Sequence, residues 1–188
     1  MYFIDFVNTK TKIKPLENPK YIPIHKQDLI YIHPMILGID PGIRKLGYAL
    51  IQTDASIVDA GILLLDTKNP TRDDQYSRML DIHDFFKALL EQYDIKTICM
   101  EKYYFTQYNR SNAEFVYGVR GIIMLLAKQH NCRIKEYTPI QIKKSITGSG
   151  KAGKMLMQKM IMKLFKLQEL PKYHDAADAL GLAWLGRR

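Results

Sequence analysis

A single change of hydrophobic period limits the fold of this chain more than any other feature. From Met35 three apolar runs follow each other with short breaks: Ile36-Leu37-Gly38-Ile39 up to Asp40, residues 46–52, and Ile57 to Leu65. Runs of this length bounded by turn residues read as strands, and their short connections predict an antiparallel meander. Beyond it the spacing switches to three and four residues, through Met79, Leu80, Ile82, Phe85, Phe86, Leu89 and Leu90. That spacing is an amphipathic helix, led in by the polar stretch Thr71-Arg72-Asp73-Asp74. A strand over 96–101, a helix over 112–128 and a strand over 133–137 come next, and Thr138-Pro139 then caps and opens another helix. After a glycine-rich break, residues 152–167 return to helical spacing, Leu170-Pro171 interrupts it, and an alanine-rich helix runs over 174–185. The predicted class is α/β: a mixed five-stranded sheet flanked by helices, in one domain over 35–188.

Residues 1–34 stand apart. Lys10, Lys12, Lys14, Lys20 and Lys26 interleave with Pro15, Pro19 and Pro23, and no hydrophobic period lasts more than a few positions. The segment reads as an N-terminal extension, either poorly ordered or an arm on the surface. Because Met35 falls immediately before the first strand, it is also a candidate initiator.

The first strand ends on Asp40-Pro41-Gly42. Proline offers no amide to continue a ladder and glycine tolerates the turn, so Asp40 is expected at the sheet edge with its carboxylate directed away from the sheet. A turn-forming aspartate is the plainer alternative. Three further carboxylates favour a site: Glu101 closes the fourth strand, and Asp175 and Asp178 lie three residues apart on one face of the last helix. Asp175 in a first turn also suits the helix dipole. Asp178 has no such explanation, since it lies among Ala176, Ala177, Ala179 and Leu180, where an unpaired charge is costly. Four carboxylates about 4 Å apart repel by a few kcal/mol per pair at an effective dielectric near 20, and a divalent cation removes that cost. All-oxygen ligands suit magnesium or manganese, and two such ions can clamp the attacking and leaving oxygens of a phosphodiester. His174 is a candidate further ligand or general acid/base, set against the commoner exposed histidine at a helix start.

Charge points to the same chemistry. The 28 basic and 19 acidic residues leave +9, which favours a polyanionic partner, nucleic acid first. Many of the lysines fall in the C-terminal half, among them Lys143, Lys144, Lys151, Lys154 and Lys159. Cys99 and Cys132 fit neither a zinc nor a disulfide spacing and read as buried thiols of a cytoplasmic protein. No apolar run approaches the roughly eighteen residues of a membrane span, and the N-terminus lacks the order of a signal peptide, so the expected protein is neither embedded nor secreted. Gly148 to Lys154 has the spacing of a phosphate-binding P-loop, but Met155 stands where a hydroxyl is needed and no apolar strand leads into it.

Taken together, Ile36-Leu37-Gly38-Ile39-Asp40-Pro41-Gly42, Met100-Glu101-Lys102, the Gly148–Lys154 loop and His174-Asp175-Ala176-Ala177-Asp178-Ala179-Leu180 resemble the RuvC family of Holliday junction resolvases. The resemblance covers about residues 35–185 and implies a ribonuclease H-like fold, a homodimer, four-way junction DNA as substrate and two magnesium ions per active site, with manganese as the alternative. It implies that Asp40, Glu101, Asp175 and Asp178 are the catalytic metal ligands, with His174 next to Asp175 a candidate addition to the site. It also implies that Lys143 and Lys154 bind the DNA backbone and that Tyr104 wedges between bases at the junction centre. A branch-migration complex enters as a candidate partner. The helix over 112–128 is the candidate dimer surface, with Gly118 and Gly121 for close approach and Phe115, Ile122 and Leu126 as area to bury. The alternatives are a junction-binding protein without cleavage, which gains nothing from carboxylates facing phosphate, and a related flap or RNA nuclease.

Overall fold

The computed structural model describes residues 2–5, 14–15, 34–42, 44–65, 71–104 and 110–188. Its elements are β1 (Tyr2–Asp5), β2 (Lys14–Pro15), β3 (Met35–Asp40), β4 (Lys45–Gln52), β5 (Ile57–Leu64), α1 (Arg72–Gln92), β6 (Ile95–Glu101), α2 (Arg110–Gln129), β7 (Arg133–Tyr137), α3 (Pro139–Thr147), α4 (Lys154–Leu164) and α5 (His174–Gly186). All seven strands join one sheet in the order β2-β1-β5-β4-β3-β6-β7. The expected meander is β3-β4-β5, antiparallel throughout, and β6 and β7 add in parallel beside β3. Parallel neighbours need a crossover, and α1 and α2 supply the two.

The sheet gains two strands that the sequence pattern does not predict. Tyr2–Asp5 pairs antiparallel with β5 from Tyr2↔Leu64 to Asp5↔Gly61, and β2 pairs with β1. The N-terminal extension therefore covers the β5 edge, which would otherwise present unpaired backbone groups. Most of 1–34 lies outside the described residues, as does Ile43 in the β3–β4 turn.

Both faces of the sheet are covered. On one, Leu37, Ile39, Leu50, Phe86, Leu89, Met100, Phe115, Val119 and Leu126 form the larger core with α1 and α2. On the other, Ile36, Ala49, Ile51 and Cys99 meet α3, α4 and α5 through Ile142, Ile161, Ala179, Leu180 and Ala183. Alternation along β3 explains the division, since Ile36 faces one side while Leu37 and Ile39 face the other. Helix boundaries follow local chemistry. Thr71 accepts from the Asp74 amide to start α1, and Thr138 with Gln141 forms a reciprocal capping box ahead of Pro139 in α3.

The face of α2 left open differs from the expectation. Phe115 and Leu126 are core residues, Ile122 packs against them, and a side chain at Gly118 would strike Met79 of α1. Those positions are used within the chain because α2 buries against both the sheet and α1. Its exposed stripe is instead Tyr117, Gly121 and Leu125, spaced by four residues.

Candidate active site

Four separate backbone positions deliver the candidate carboxylates. Asp40 closes β3 where the chain leaves the sheet, with the Gly42 amide donating to the Asp40 carbonyl at 2.9 Å. Glu101 closes β6. The two strands are parallel neighbours in the register Ile39↔Met100, so their last residues emerge side by side. Asp175 and Asp178 come from α5, which packs across β3 and β4. That helix lies very close: a Cβ added at Gly47 would sit 2.1 Å from the Asp175 carbonyl oxygen, and one at Gly42 3.8 Å from Asp175 Oδ1. Alanines at 176, 177, 179 and 183 permit this approach, which brings the Asp175 end of α5 to the strand ends bearing Asp40 and Glu101.

The carboxylates share one electrostatic field. Burial holds the Asp40 carboxyl well above the usual range, and Asp178, Glu101 and Asp175 add to the effect while Lys154 opposes it. Burial and then Asp178 raise Glu101, against Lys143 and Arg120. Asp178 is pushed up to about 6 by burial and by Asp175, with His174, Lys154 and Lys143 acting the other way. These are the directions expected of acids taken out of water next to other acids. Asp40, Glu101, Asp175 and Asp178 are thus brought together, and Lys143 and Lys154 reach the same field from α3 and α4. His174 is exposed at the first position of α5, one turn before Asp178.

A cleft of about 210 Å³ opens at the strand ends, lined by Asp40, Pro41, Gly42, Glu101, Tyr103 and Val116. The Tyr103 hydroxyl is buried there with no hydrogen-bond partner among the described residues, and its ring stands edge-on to Tyr117 with centroids 5.3 Å apart. Among the described residues no three Asp, Glu, His or Cys side chains form a compact metal-binding group. The donor set still fits hard divalent cations. It is entirely carboxylate oxygen, and burial together with neighbouring acids raises Asp40, Glu101 and Asp178, a cost that a cation would remove.

Two surrounding features complete the picture. Tyr104, next along the chain, is 51% exposed, with Lys102 Nζ 5.7 Å from its ring centroid. The Gly148–Lys154 loop joins two helices: Gly148 ends α3 at φ 80°, and no strand feeds it, which rules out a P-loop. Arg120 on α2 was not singled out in the sequence, yet it is only 5% exposed and donates to the Glu101 carbonyl at 2.5 Å and to the Glu136 carboxylate. Its signal was present. Arg120 lies four residues after Val116 and three before Ile123, inside the apolar stripe of its helix, where a charge needs buried partners.

Residues 36–185 match the family described as crossover junction endodeoxyribonuclease RuvC. The chain belongs to the RuvC family. Proteins of that name from Pseudothermotoga lettingae and Fusobacterium nucleatum are each 37% identical to it. The first match covers 80% of this chain and 91% of the relative, the second 78% and 76%. The structure of Thermus thermophilus RuvC is similar with a TM-score of 0.69 at 24% identity, covering 80% of this chain and 91% of that one. The same protein in complex with a Holliday junction substrate gives the same score over 81% of this chain and 91% of that one. These likenesses carry the ribonuclease H-like fold. The RuvC match begins at Ile36, so the N-terminal extension lies outside it.

Proposed function

We infer that the chain is a Holliday junction resolvase, an endonuclease that cuts four-way DNA junctions in recombination and repair. The observation that carries this reading is the mutual field of four carboxylates at the β3, β6 and α5 ends, with Lys143 and Lys154 acting on it, in a member of the RuvC family. Asp40, Glu101, Asp175 and Asp178 would hold two magnesium ions, with manganese able to replace them and His174 at the margin. Bound there, the ions supply activation of the attacking water and neutralisation of charge at the leaving 3′ oxygen. Lys143 and Lys154 bind the backbone phosphates on either side. Tyr104 projects from the cleft rim to stack on a base at the opened junction centre. Residues 35–188 constitute the nuclease domain, working in the cytoplasm as a homodimer. The test is cleavage of a mobile four-way junction in magnesium beside linear duplex, flap and RNA controls: paired, symmetric nicks on the junction alone support the reading. Junction binding without nicking would make the protein a binder, and preference for a flap or RNA would make it a different nuclease.

Two expected outcomes follow from this surface. Lys143→Ala and Lys154→Ala should each weaken junction binding and flatten the plot of log affinity against log salt by about one, because each removes one phosphate contact. Binding measured between about 50 and 200 mM salt checks this, and identical slopes would remove the lysines from the interface. The homodimer is expected to use the exposed Tyr117, Gly121 and Leu125 stripe. Two identical sites on an isologous dimer match the approximate twofold symmetry of a four-way junction. Leu125→Glu should therefore yield a monomer in sedimentation, with single nicks replacing paired ones. A monomer that still makes paired incisions would refute the dimer.

A further inference from the structure

We propose that Arg120 is a positioning residue for Glu101, holding the end of β6 so that the Glu101 side chain leaves the sheet in one direction. A guanidinium taken out of water is costly unless several of its donors are matched. Arg120 matches two of them on different strands. Nη1 donates to the backbone carbonyl of Glu101, the last residue of β6, at 2.5 Å, and Nη2 donates to the Glu136 carboxylate on β7. The same peptide is tied at its other end, since the Lys102 amide donates to the Tyr137 carbonyl at 2.7 Å. The Glu101–Lys102 peptide is therefore held through both its carbonyl and its N–H, at the point where β6 ends.

The alternative is that Arg120 serves only to neutralise Glu136. That does not account for its placement, because the Glu136 side chain keeps 35% of its exposure and water can solvate it, whereas Arg120 keeps 6%. The Glu101 carbonyl is the second acceptor, and a planar fork reaches both acceptors at once where an ammonium reaches one. The hydrogen bonds of Arg120 go to Glu101 and Glu136 of this chain. It acts through Glu101, and its role rests on the reading of Glu101 as a metal ligand.

The test uses the full chain with Arg120→Met, Arg120→Lys and Glu136→Gln. Manganese binding is followed by the electron paramagnetic resonance signal of free Mn²⁺, the magnesium needed for half-maximal junction cleavage is measured in parallel, and junction affinity is measured in EDTA. Arg120→Met should weaken manganese binding and turnover by about 10- to 100-fold, the range for groups that orient metal ligands, with junction affinity in EDTA unchanged. Arg120→Lys should recover part of the loss. Glu136→Gln should stay near wild type, since the amide oxygen still accepts. Wild-type manganese affinity in Arg120→Met would overturn the proposal, as would a Glu136→Gln loss equal to it, which would assign the effect to the ion pair. Should Arg120→Met not fold, Arg120→Lys decides: weakened manganese binding supports the role and unchanged binding overturns it. Absence of manganese binding by the wild-type protein would instead sink the metal-site reading itself.

Discussion

Asp178→Asn is expected to abolish junction cleavage and, in the same protein, to raise the stability measured in EDTA. The first effect follows from the loss of a proposed metal ligand. Metal assistance is worth several kcal/mol of transition-state stabilisation, so turnover should fall by on the order of 10³-fold. Junction binding should persist, since the substitution removes a negative charge from a surface that receives phosphate. The second effect follows from the sign of the pKa shift. Asp178 is pushed up to about 6 in the folded protein from an ordinary value of 3.8, because burial and Asp175 disfavour its charged form. A carboxyl raised in this way contributes stability below pH 3.8 and loses it as pH rises through 6. At neutral pH the ionised group therefore opposes folding, by on the order of 3 kcal/mol. The asparagine variant should melt higher than wild type at pH 7 in EDTA, and the difference should vanish near pH 4. Added magnesium should stabilise the wild type more than the variant, since binding to the folded state alone stabilises by mass action. A variant that keeps substantial magnesium-dependent cleavage, or one that melts lower than wild type in EDTA, would remove Asp178 from the site.

Much of this site was legible because its residues violate local expectation. Asp178 is a charge in a helix of alanines, and Asp40 and Glu101 are the polar ends of apolar strands; the structure puts all three in one electrostatic field. The strand order was less accessible. Periodicity locates β6 and β7, but the parallel register that sets Glu101 beside Asp40 depends on crossovers through α1 and α2 whose packing is not written in any short window. The α2 helix shows the same limit. Its apolar residues extend around more than one face, which announced a second burial surface without saying that α1 would fill part of it through Met79 and Gly118. Arg120 was overlooked because an arginine between Val119 and Gly121 reads as part of a polar face until its register with Val116 and Ile123 is counted. Tyr2–Asp5 was overlooked for a different reason: four residues carry too little pattern to distinguish a strand, and the β5 edge that recruits them is nearly sixty residues away in sequence.

The largest effect expected from a residue outside the cleft is that of Gly38→Ala. Gly38 lies two residues before Asp40 on β3, and a Cβ there would sit 2.1 Å from the Ala179 carbonyl oxygen and 2.6 Å from the Ala183 amide nitrogen. Both are backbone atoms of α5, so no rotamer change relieves the clash. The helix and the strand must separate by roughly 1 Å to restore ordinary contact. Overpacking of this kind costs about 3 kcal/mol, which in a chain of this size lowers Tm by roughly 5–10 °C. The displaced helix is also the one that carries Asp175 and Asp178, and the strand it leaves carries Asp40. A misplacement of about 1 Å costs on the order of 10²-fold in rate, so Gly38→Ala should lose turnover well beyond its loss of folded protein. Gly153→Ser supplies the control, because a Cβ at Gly153 meets nothing within 4 Å and serine suits the N-cap position it occupies. Its Tm should equal or slightly exceed that of the wild type. Thermal melts of both variants, with single-turnover cleavage at a temperature where each is folded, separate the two consequences for Gly38→Ala. If that variant melts lower but cuts at the wild-type rate, the seating of α5 on β3 governs stability and not the geometry of the carboxylates. If it melts and cuts like the wild type, the close backbone contact does not fix the helix at all.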